Sequence, residues 1–413
     1  MIVESTPRPR HLALALLPLG LVFLAVGVAT AVVYPFLSLF LSTEVRAGPA
    51  RVTAFLVAAP LAGVVVSTLV ARLSDRRPIR RALLIAAAGA GLLSSALTAV
   101  VRDYWALLAL AVTATALAGV LFPQTFAYAR QVLMRDDPAR SALGTSALRT
   151  VFSLAWVGGP PLAALILAAG GFTAVYGMAA VMYALAGLVA VLLLRRDEAP
   201  APPVSHDTET GDGPGRGRLW LSVAAFTMLQ CPLTLGAQAL PLFVTGNLGG
   251  GIADAGLILG LCAALEIPIM LGLGMLSTRV RLRALVLAGA VCGVLYQALA
   301  ATAHSVWLLA GGQVLNACFI AAVSALGMSY LQDMLPGQPG RASTLFSNTF
   351  PIGAMLAGPL FGIAQQFGFR WAYGIGTAMC AAGLAVLMLT RPAARSGRDG
   401  ATRRGEGAAT AAV

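Results

Sequence analysis

One carboxylate in this chain stands where carboxylates are costly. Glu266 lies near the middle of an apolar run spanning about residues 253–277. A charged side chain at the centre of a membrane-crossing helix costs about 2.5–3.5 kcal/mol on insertion scales, so such a group faces a cavity or a partner. Desolvation favours the protonated acid, which suits a group that gains and loses a proton near neutral pH. A structural Glu bound to a neighbouring helix would fit the same position. Arg149 is a second intramembrane charge, six residues or about 9 Å into its own run at 1.5 Å per residue. It either meets a carboxylate or extends to the headgroups along its apolar stem. Other polar residues recur at helical spacing. Thr30, Tyr34 and Ser38 share one face, as do Gln124 and Tyr128. Gln230 and Gln238 lie on a further run, Gln313, Asn316 and Ser324 on another, and Asn348 on one more. An amide both donates and accepts, which matches a hydroxyl-rich ligand. Tyr34, Phe126, Tyr128 and Trp156 could offer an apolar platform to a ring face. Hydrogen bonding between helices explains many of the Ser and Thr residues equally well.

These residues must be positioned by a largely apolar scaffold. Hydrophobic residues make up 58% of the 413 and charged residues 11%, against about 25% charged in soluble domains. A water-facing surface of ordinary size could not be built from this composition. A bilayer crossing needs about 20 mostly apolar residues, and about twelve such runs are present by that rule. They span approximately 12–40, 51–71, 82–101, 104–129, 143–169 and 172–194, then 219–245, 253–277, 283–303, 306–331, 343–366 and 371–390. The first is either one long helix or a helix distorted near Pro35. An all-α membrane protein follows.

The net charge of +12 comes from 28 basic residues, every one Arg, and 16 acidic ones. With the N-terminus inside, only Arg46, Arg51, Arg102 and Arg370 fall in outer loops. That asymmetry puts both termini in the cytoplasm, and it makes the Arg excess a matter of orientation rather than nucleic-acid binding. The five Cys lie within apolar runs without paired spacing, and His11, His206 and His304 lie near run ends or in a linker. Neither a metal site nor a cofactor is expected, and no phosphate-binding G-x-x-x-x-G-K-[ST] loop occurs. The expected organisation is an N-terminal six-helix bundle (1–194), a cytoplasmic linker (195–218), a C-terminal six-helix bundle (219–390) and a disordered tail (391–413). The halves repeat: Arg81-Ala82-Leu83 matches Arg283-Ala284-Leu285, Gly159-Pro160 matches Gly358-Pro359, and Gly171-Phe172 with Tyr176 matches Gly368-Phe369 with Tyr373. Two matched bundles suggest a transporter that rocks around a site at mid-membrane.

Residues 71–81, Ala-Arg-Leu-Ser-Asp-Arg-Arg-Pro-Ile-Arg-Arg, keep the Asp-Arg core and basic pair of the loop signature of the major facilitator superfamily. More specifically, the chain resembles the bacterial sugar efflux transporter family. The resemblance rests on Phe36–Leu41, Pro123-Gln124 through Arg130, Ser153–Ala163, Leu265-Glu266-Ile267-Pro268, Leu315-Asn316-Ala317 and Tyr330–Gln338. The departures are Ala71 and Pro78 for two signature glycines, and Ala155 and Ala163-Ala164 for glycines of the superfamily's antiporter motif.

The resemblance implies two pseudo-symmetric six-helix bundles of the major facilitator fold and export of sugars or glycosides driven by protons. It implies a multi-pass protein of the bacterial cytoplasmic membrane, taken as a monomer, with a small-molecule substrate, protons and lipid as its partners. It places helices one, four, seven and ten around the cavity, which makes Tyr34, Gln124, Tyr128, Gln230, Gln238, Gln313 and Asn316 candidates for substrate contact, with Trp156 on helix five and Asn348 on helix eleven as further candidates. It also sets helices five and eight face to face, so Arg149 could pair with Glu266 in one state and release it in another. Asp75 and Arg76, with Arg130 and Asp333, become candidates for a conformational gate, Asp75 capping helix eleven near Ser343. The rival readings are efflux of a drug or secondary metabolite, uptake by symport, and a non-transporting sensor on the same fold. An enzyme is not expected.

Overall fold

The computed structural model describes residues 9–76, 79–136, 141–194, 216–335 and 338–390. Most of the expected linker and the tail from residue 391 lie outside them. The regular structure of the described residues is helical throughout. The first crossing is α1 (Pro9–Val33), a 3-10 turn over Tyr34–Phe36 and α2 (Leu37–Thr43). Pro35 has no N–H to donate and crowds the preceding turn, so the helix tightens there. Next come α3 (Pro49–Arg76) and α4 (Arg80–Val100). The fourth crossing strings together α5 (Tyr104–Leu110), a π turn over Ala111–Thr115, α6 (Ala116–Ala118) and α7 (Leu121–Asp136).

The stretch α8 (Ser141–Leu192) runs for 52 residues and is two helices meeting at Gly171. Gly171 has φ 64°, a left-handed backbone that glycine adopts without a Cβ penalty. The second half contains α9 (Arg216–Asn247), α10 (Ile252–Leu276) and α11 (Leu282–Thr302). It continues through α12 (Val306–Gly311), α13 (Gln313–Ala321), a π turn over Ala322–Leu326 and α14 (Gly327–Met334). It ends with α15 (Pro339–Phe367) and α16 (Arg370–Leu389).

Ten stretches among the described residues are long and apolar enough to cross a membrane. One of them, Thr150–Leu192, contains the break at Gly171. Helix α15 is of comparable length at 29 residues, its apolar sequence interrupted by Ser347, Asn348, Gln365 and Gln366. Leu165, Val181, Leu188, Leu271, Met275 and Trp307 point outward and are more than half exposed. A bilayer covers such a surface; water would not.

The two halves share a construction. Arg81 and Arg283, 202 residues apart, each reach to the end of the last helix of their own half. Arg81 donates to Val191 O (2.6 Å), and Arg283 to Leu387 O (3.0 Å) and Met388 O (2.9 Å). Phe40 packs on Tyr176 (4.9 Å between centroids) as Phe243 packs on Tyr373 (5.1 Å). Gly368, the counterpart of Gly171, also has positive φ, 109°.

The cores show where the halves join. Leu19, Leu84, Tyr128 and Leu194 belong to a core of the first half alone, and Leu219, Leu285, Tyr330 and Leu387 to one of the second alone. Both of these cores lie toward the linker. At the opposite end a single core unites Phe36, Phe40, Tyr176, Leu235, Ala239 and Phe361 from both halves. The molecule is thus closed at the end away from the linker.

Candidate functional site

Hydrogen bonds and close packing seal that end. Ser38 N–H donates to Gln238 Oε1 (3.2 Å), Ser38 Oγ to Gln238 O (2.5 Å), and Gln238 Nε2 to Tyr34 O (2.7 Å). Gln365 Nε2 reaches Ser42 Oγ at 3.3 Å. Along α8 and α10, a Cβ at Gly256 would come within 2.7 Å of Pro160 O, and one at Gly260 within 2.7 Å of Val157 O. Only glycine allows the two backbones this close. The Gly-Pro repeat noted in the sequence supplies both seams: Pro160 faces Gly256, and Gly358 lies against Leu56 and Val57 of α3.

Below this seal three cavities meet around Tyr34. The central one has a volume of about 640 Å³ and lies between α3, the fourth crossing, α9 and α15. Ser67, Thr68, Thr115, Gln238, Ser347 and Asn348 are its polar groups away from Tyr34 and Thr234. The second, about 280 Å³, holds Glu266 with Trp156, Gln230, Thr234, Tyr296, Gln297, Asn316 and Ser324. The third, about 240 Å³, lies within the first half and is walled by Thr30, Ser94, Ser95, Thr98, Thr115, Tyr176 and Tyr183. Tyr34 lines all three, and its ring meets Trp156 edge-on at 6.1 Å. Volumes of about 300–1,000 Å³ are typical of sites for small organic ligands.

The Glu266 cavity is a prepared polar wall. Gln313 Nε2 donates to Tyr296 Oη (3.0 Å) and Leu309 O (3.2 Å), while its Oε1 accepts from Asn316 Nδ2 (2.9 Å). Asn316 Nδ2 also contacts Cys262 Sγ at 3.4 Å. With its amide nitrogen committed, Asn316 has its carbonyl oxygen left to accept from a ligand. Trp156 Nε1 and Gln297 Oε1 are buried on this wall without a hydrogen-bond partner among the described residues. An unpaired buried polar atom costs about 1–3 kcal/mol, which a polar ligand would recover.

The candidates from sequence divide into three groups. Tyr34, Trp156, Gln230, Gln238, Asn316, Asn348 and Glu266 lie on cavity walls. Gln124, Tyr128 and Gln313 do not lie on the walls of these three cavities. Gln124 faces α3, its Nε2 3.4 Å from Ser74 Oγ; Tyr128 is buried in the core of the first half; Gln313 stands behind Asn316 and orients it. Helical periodicity gives the face of a residue but not the rotation of its helix within the bundle, and so it grouped these three with the cavity. Asp333 is exposed near the end of α14. Ser343 Oγ, the expected neighbour of Asp75, accepts from Gln332 Nε2 at 3.1 Å. The side chains of Asp75, Arg76, Arg130 and Arg149 lie outside the described residues.

Thr234, Tyr296, Gln297, Ser94, Ser95 and Thr115 were not singled out in the sequence. An alignment of the two halves at an offset of 202 would have flagged four of them, because it sets Ser94-Ser95 against Tyr296-Gln297.

A helical membrane protein with two matched bundles around a polar cavity, sealed at one end, has the architecture of a secondary transporter. The Major Facilitator Superfamily model matches residues 19–296 and 233–412. Among curated proteins, a relative from Deinococcus radiodurans is 38% identical over 362 residues, 86% of this chain and 92% of its own. Sugar efflux transporter A of Dickeya chrysanthemi is 36% identical, covering 87% and 90%, and sugar efflux transporter A of Escherichia coli 35%, covering 86% and 91%. Among solved structures, the nucleoside transporter NupG superposes with TM-score 0.74 at 13% identity over 91% of this chain and 98% of its own. A bacterial homologue of the lysosomal transporter Spinster gives 0.74 at 13% over 93% and 97%. The chain belongs to the sugar efflux transporter family of the major facilitator superfamily and is a multi-pass bacterial membrane protein.

Proposed function

We propose that this protein exports sugars, glycosides or sugar-like compounds across the cytoplasmic membrane, exchanging them for protons by alternating access. The observation that carries the reading is the placement of Glu266 on one cavity wall with Gln230, Asn316 and Trp156. In this reading the amides and the asparagine carbonyl receive substrate hydroxyls, Tyr34 and Trp156 support a ring face, and Glu266 carries the exchanged proton. A carboxylate withdrawn from water holds a proton more readily than one that is hydrated. Substrate that displaces water from the cavity would alter that balance, so substrate and proton would compete for one site. With the linker and both termini in the cytoplasm, the sealed end faces outward and the central cavity opens to the cell interior. That is the state in which an exporter loads.

The test uses the full chain in sealed vesicles, with a panel of labelled mono- and disaccharides and labelled antibiotics. The expected result is saccharide movement accelerated by an opposing pH gradient. Glu266→Gln should retain substrate exchange and lose its response to the gradient. Movement of antibiotics alone would replace the sugar assignment with drug efflux. Unchanged coupling in Glu266→Gln would remove Glu266 from the proton step.

A further inference from the structure

The third cavity has no equivalent role in the reading above, and it distinguishes the two halves. Helices α4 and α11 align at an offset of 202, with Arg81 on Arg283 and Gly91 on Gly293. In this register Ser94 replaces Tyr296, Ser95 replaces Gln297, and Ala111 replaces Gln313. In the second half Tyr296 and Gln313 are buried, joined by their 3.0 Å hydrogen bond, and fill the space between α11 and α13. In the first half the small residues leave a cavity of about 240 Å³.

Its lining is hydroxyl-rich and only partly self-satisfied. Ser94 Oγ pairs with Thr115 Oγ1 (2.5 Å), Thr98 Oγ1 donates to Ser94 O (2.8 Å), and Thr30 Oγ1 to Val26 O (2.9 Å). Ser95 and Tyr176 are different. They are only 8% and 6% exposed, both line the cavity, and neither hydroxyl makes a hydrogen bond among the described residues. Two hydroxyls on the cavity wall beside the rings of Tyr183 and Phe40 complement what a pyranose presents: donors and acceptors at the rim, an apolar face between them. The cavity borders the central one, and Tyr34, Leu37, Ala59, Ala111, Thr115 and Gly119 line both.

We propose that this pocket in the first half is a second sugar subsite, which receives the distal ring of a disaccharide or glycoside while the first ring occupies the central cavity that borders it at Tyr34. The inference rests on the sugar-export reading and names its substrate class: saccharides of at least two rings. A monosaccharide occupies the central region and leaves Ser95 and Tyr176 unused.

The test moves the filling of the second half into the first. In the full-length chain, Ser94→Tyr should lower disaccharide export at least tenfold and change monosaccharide export by less than about twofold, a gap of at least fivefold or about 1 kcal/mol. Thermal unfolding of the purified variant checks that it is intact. Equal effects on both sugars, or no effect on either, would overturn the subsite. A second variant guards against misfolding: Ser95→Cys, in a background lacking the five native cysteines, reacts with a small methanethiosulfonate reagent. Disaccharide should slow that reaction and monosaccharide should not; equal protection by both, or by neither, counts against the proposal. A wild-type protein that moves no saccharide at all would instead defeat the export reading beneath it, an outcome separate from these.

Discussion

The two halves share a backbone plan and differ in chemistry. The second half supplies the ionisable and amide groups of the polar wall: Glu266, Gln230, Gln297 and Asn316. The first half supplies hydroxyls and rings: Tyr34, Ser94, Ser95, Thr115 and Trp156. The sealed ends show the same divergence. In the first half Arg102 stacks on Phe40 (5.4 Å), donates to Thr98 O (2.9 Å) and reaches Thr173 Oγ1 (3.0 Å). In the second half Arg370 stacks on Phe243 (5.6 Å), donates to Ala301 O (3.1 Å) and contacts His304 (3.4 Å). Arg102 aligns with His304, and Thr173 with Arg370. The guanidinium therefore comes from opposite sides of the same local site. The repeat preserves a position for a cation over an aromatic ring and the last carbonyls of a helix, not the identity of the residue that provides it.

The comparison can be broken at several points. The largest effect should come from Glu266→Gln. Removing the one carboxylate on the polar wall should reduce gradient-driven export by about 100-fold, the low end of what a positioned proton-transfer group contributes. Exchange without a gradient should persist, as measured by counterflow in vesicles. Conservation of both rates would show that the chemical difference between the halves does not govern coupling.

Next in size is Gly260→Leu. The seam between α8 and α10 would have to part, and overpacking typically costs about 1–3 kcal/mol. Export should fall about tenfold, and thiols placed near Gln238 should become reactive from the sealed side. No change in labelling would mean that the seam does not limit opening.

Gln238→Ala should act in the same direction more weakly. It removes the side-chain bonds to Ser38 N–H and Tyr34 O, each worth about 0.5–1.5 kcal/mol. Labelling from the sealed side should rise by a few-fold.

The smallest effect sharpens the comparison instead of breaking it. Arg102→Ala should lower thermal stability by about 1 kcal/mol, from the lost stacking and helix-end contacts. Arg102→His combined with Thr173→Arg, which copies the arrangement of the second half, should recover most of that loss in a thermal melt. If the double variant melts no higher than Arg102→Ala, the two sites are not interchangeable.

How much of this was legible beforehand depends on the type of signal. Run lengths gave the crossings, because the thickness of a bilayer sets how many apolar residues a helix needs. Pro35 marked the distortion in the first helix, since proline limits the backbone locally, and the bounds of the fifth and sixth runs left the break between 169 and 172, where the structure places Gly171. Glu266 was conspicuous for its charge in an apolar setting, and the amide spacing found Gln230, Gln238 and Asn316. Gln124, Tyr128 and Gln313 carried the same spacing and came to rest against protein, because helix rotation depends on neighbours far away in the chain.

The sequence by itself determined the helical, membrane-crossing character of the apolar segments, the internal repeat and the family, all of which are written in local composition and order. Only the tertiary structure decided which end is sealed, that Tyr34 joins three cavities, and that Ser94 and Ser95 open a pocket where Tyr296 and Gln313 fill one. Those outcomes arise from packing between residues as many as two hundred positions apart, where the fit of a side chain depends on what the opposing helix leaves unoccupied.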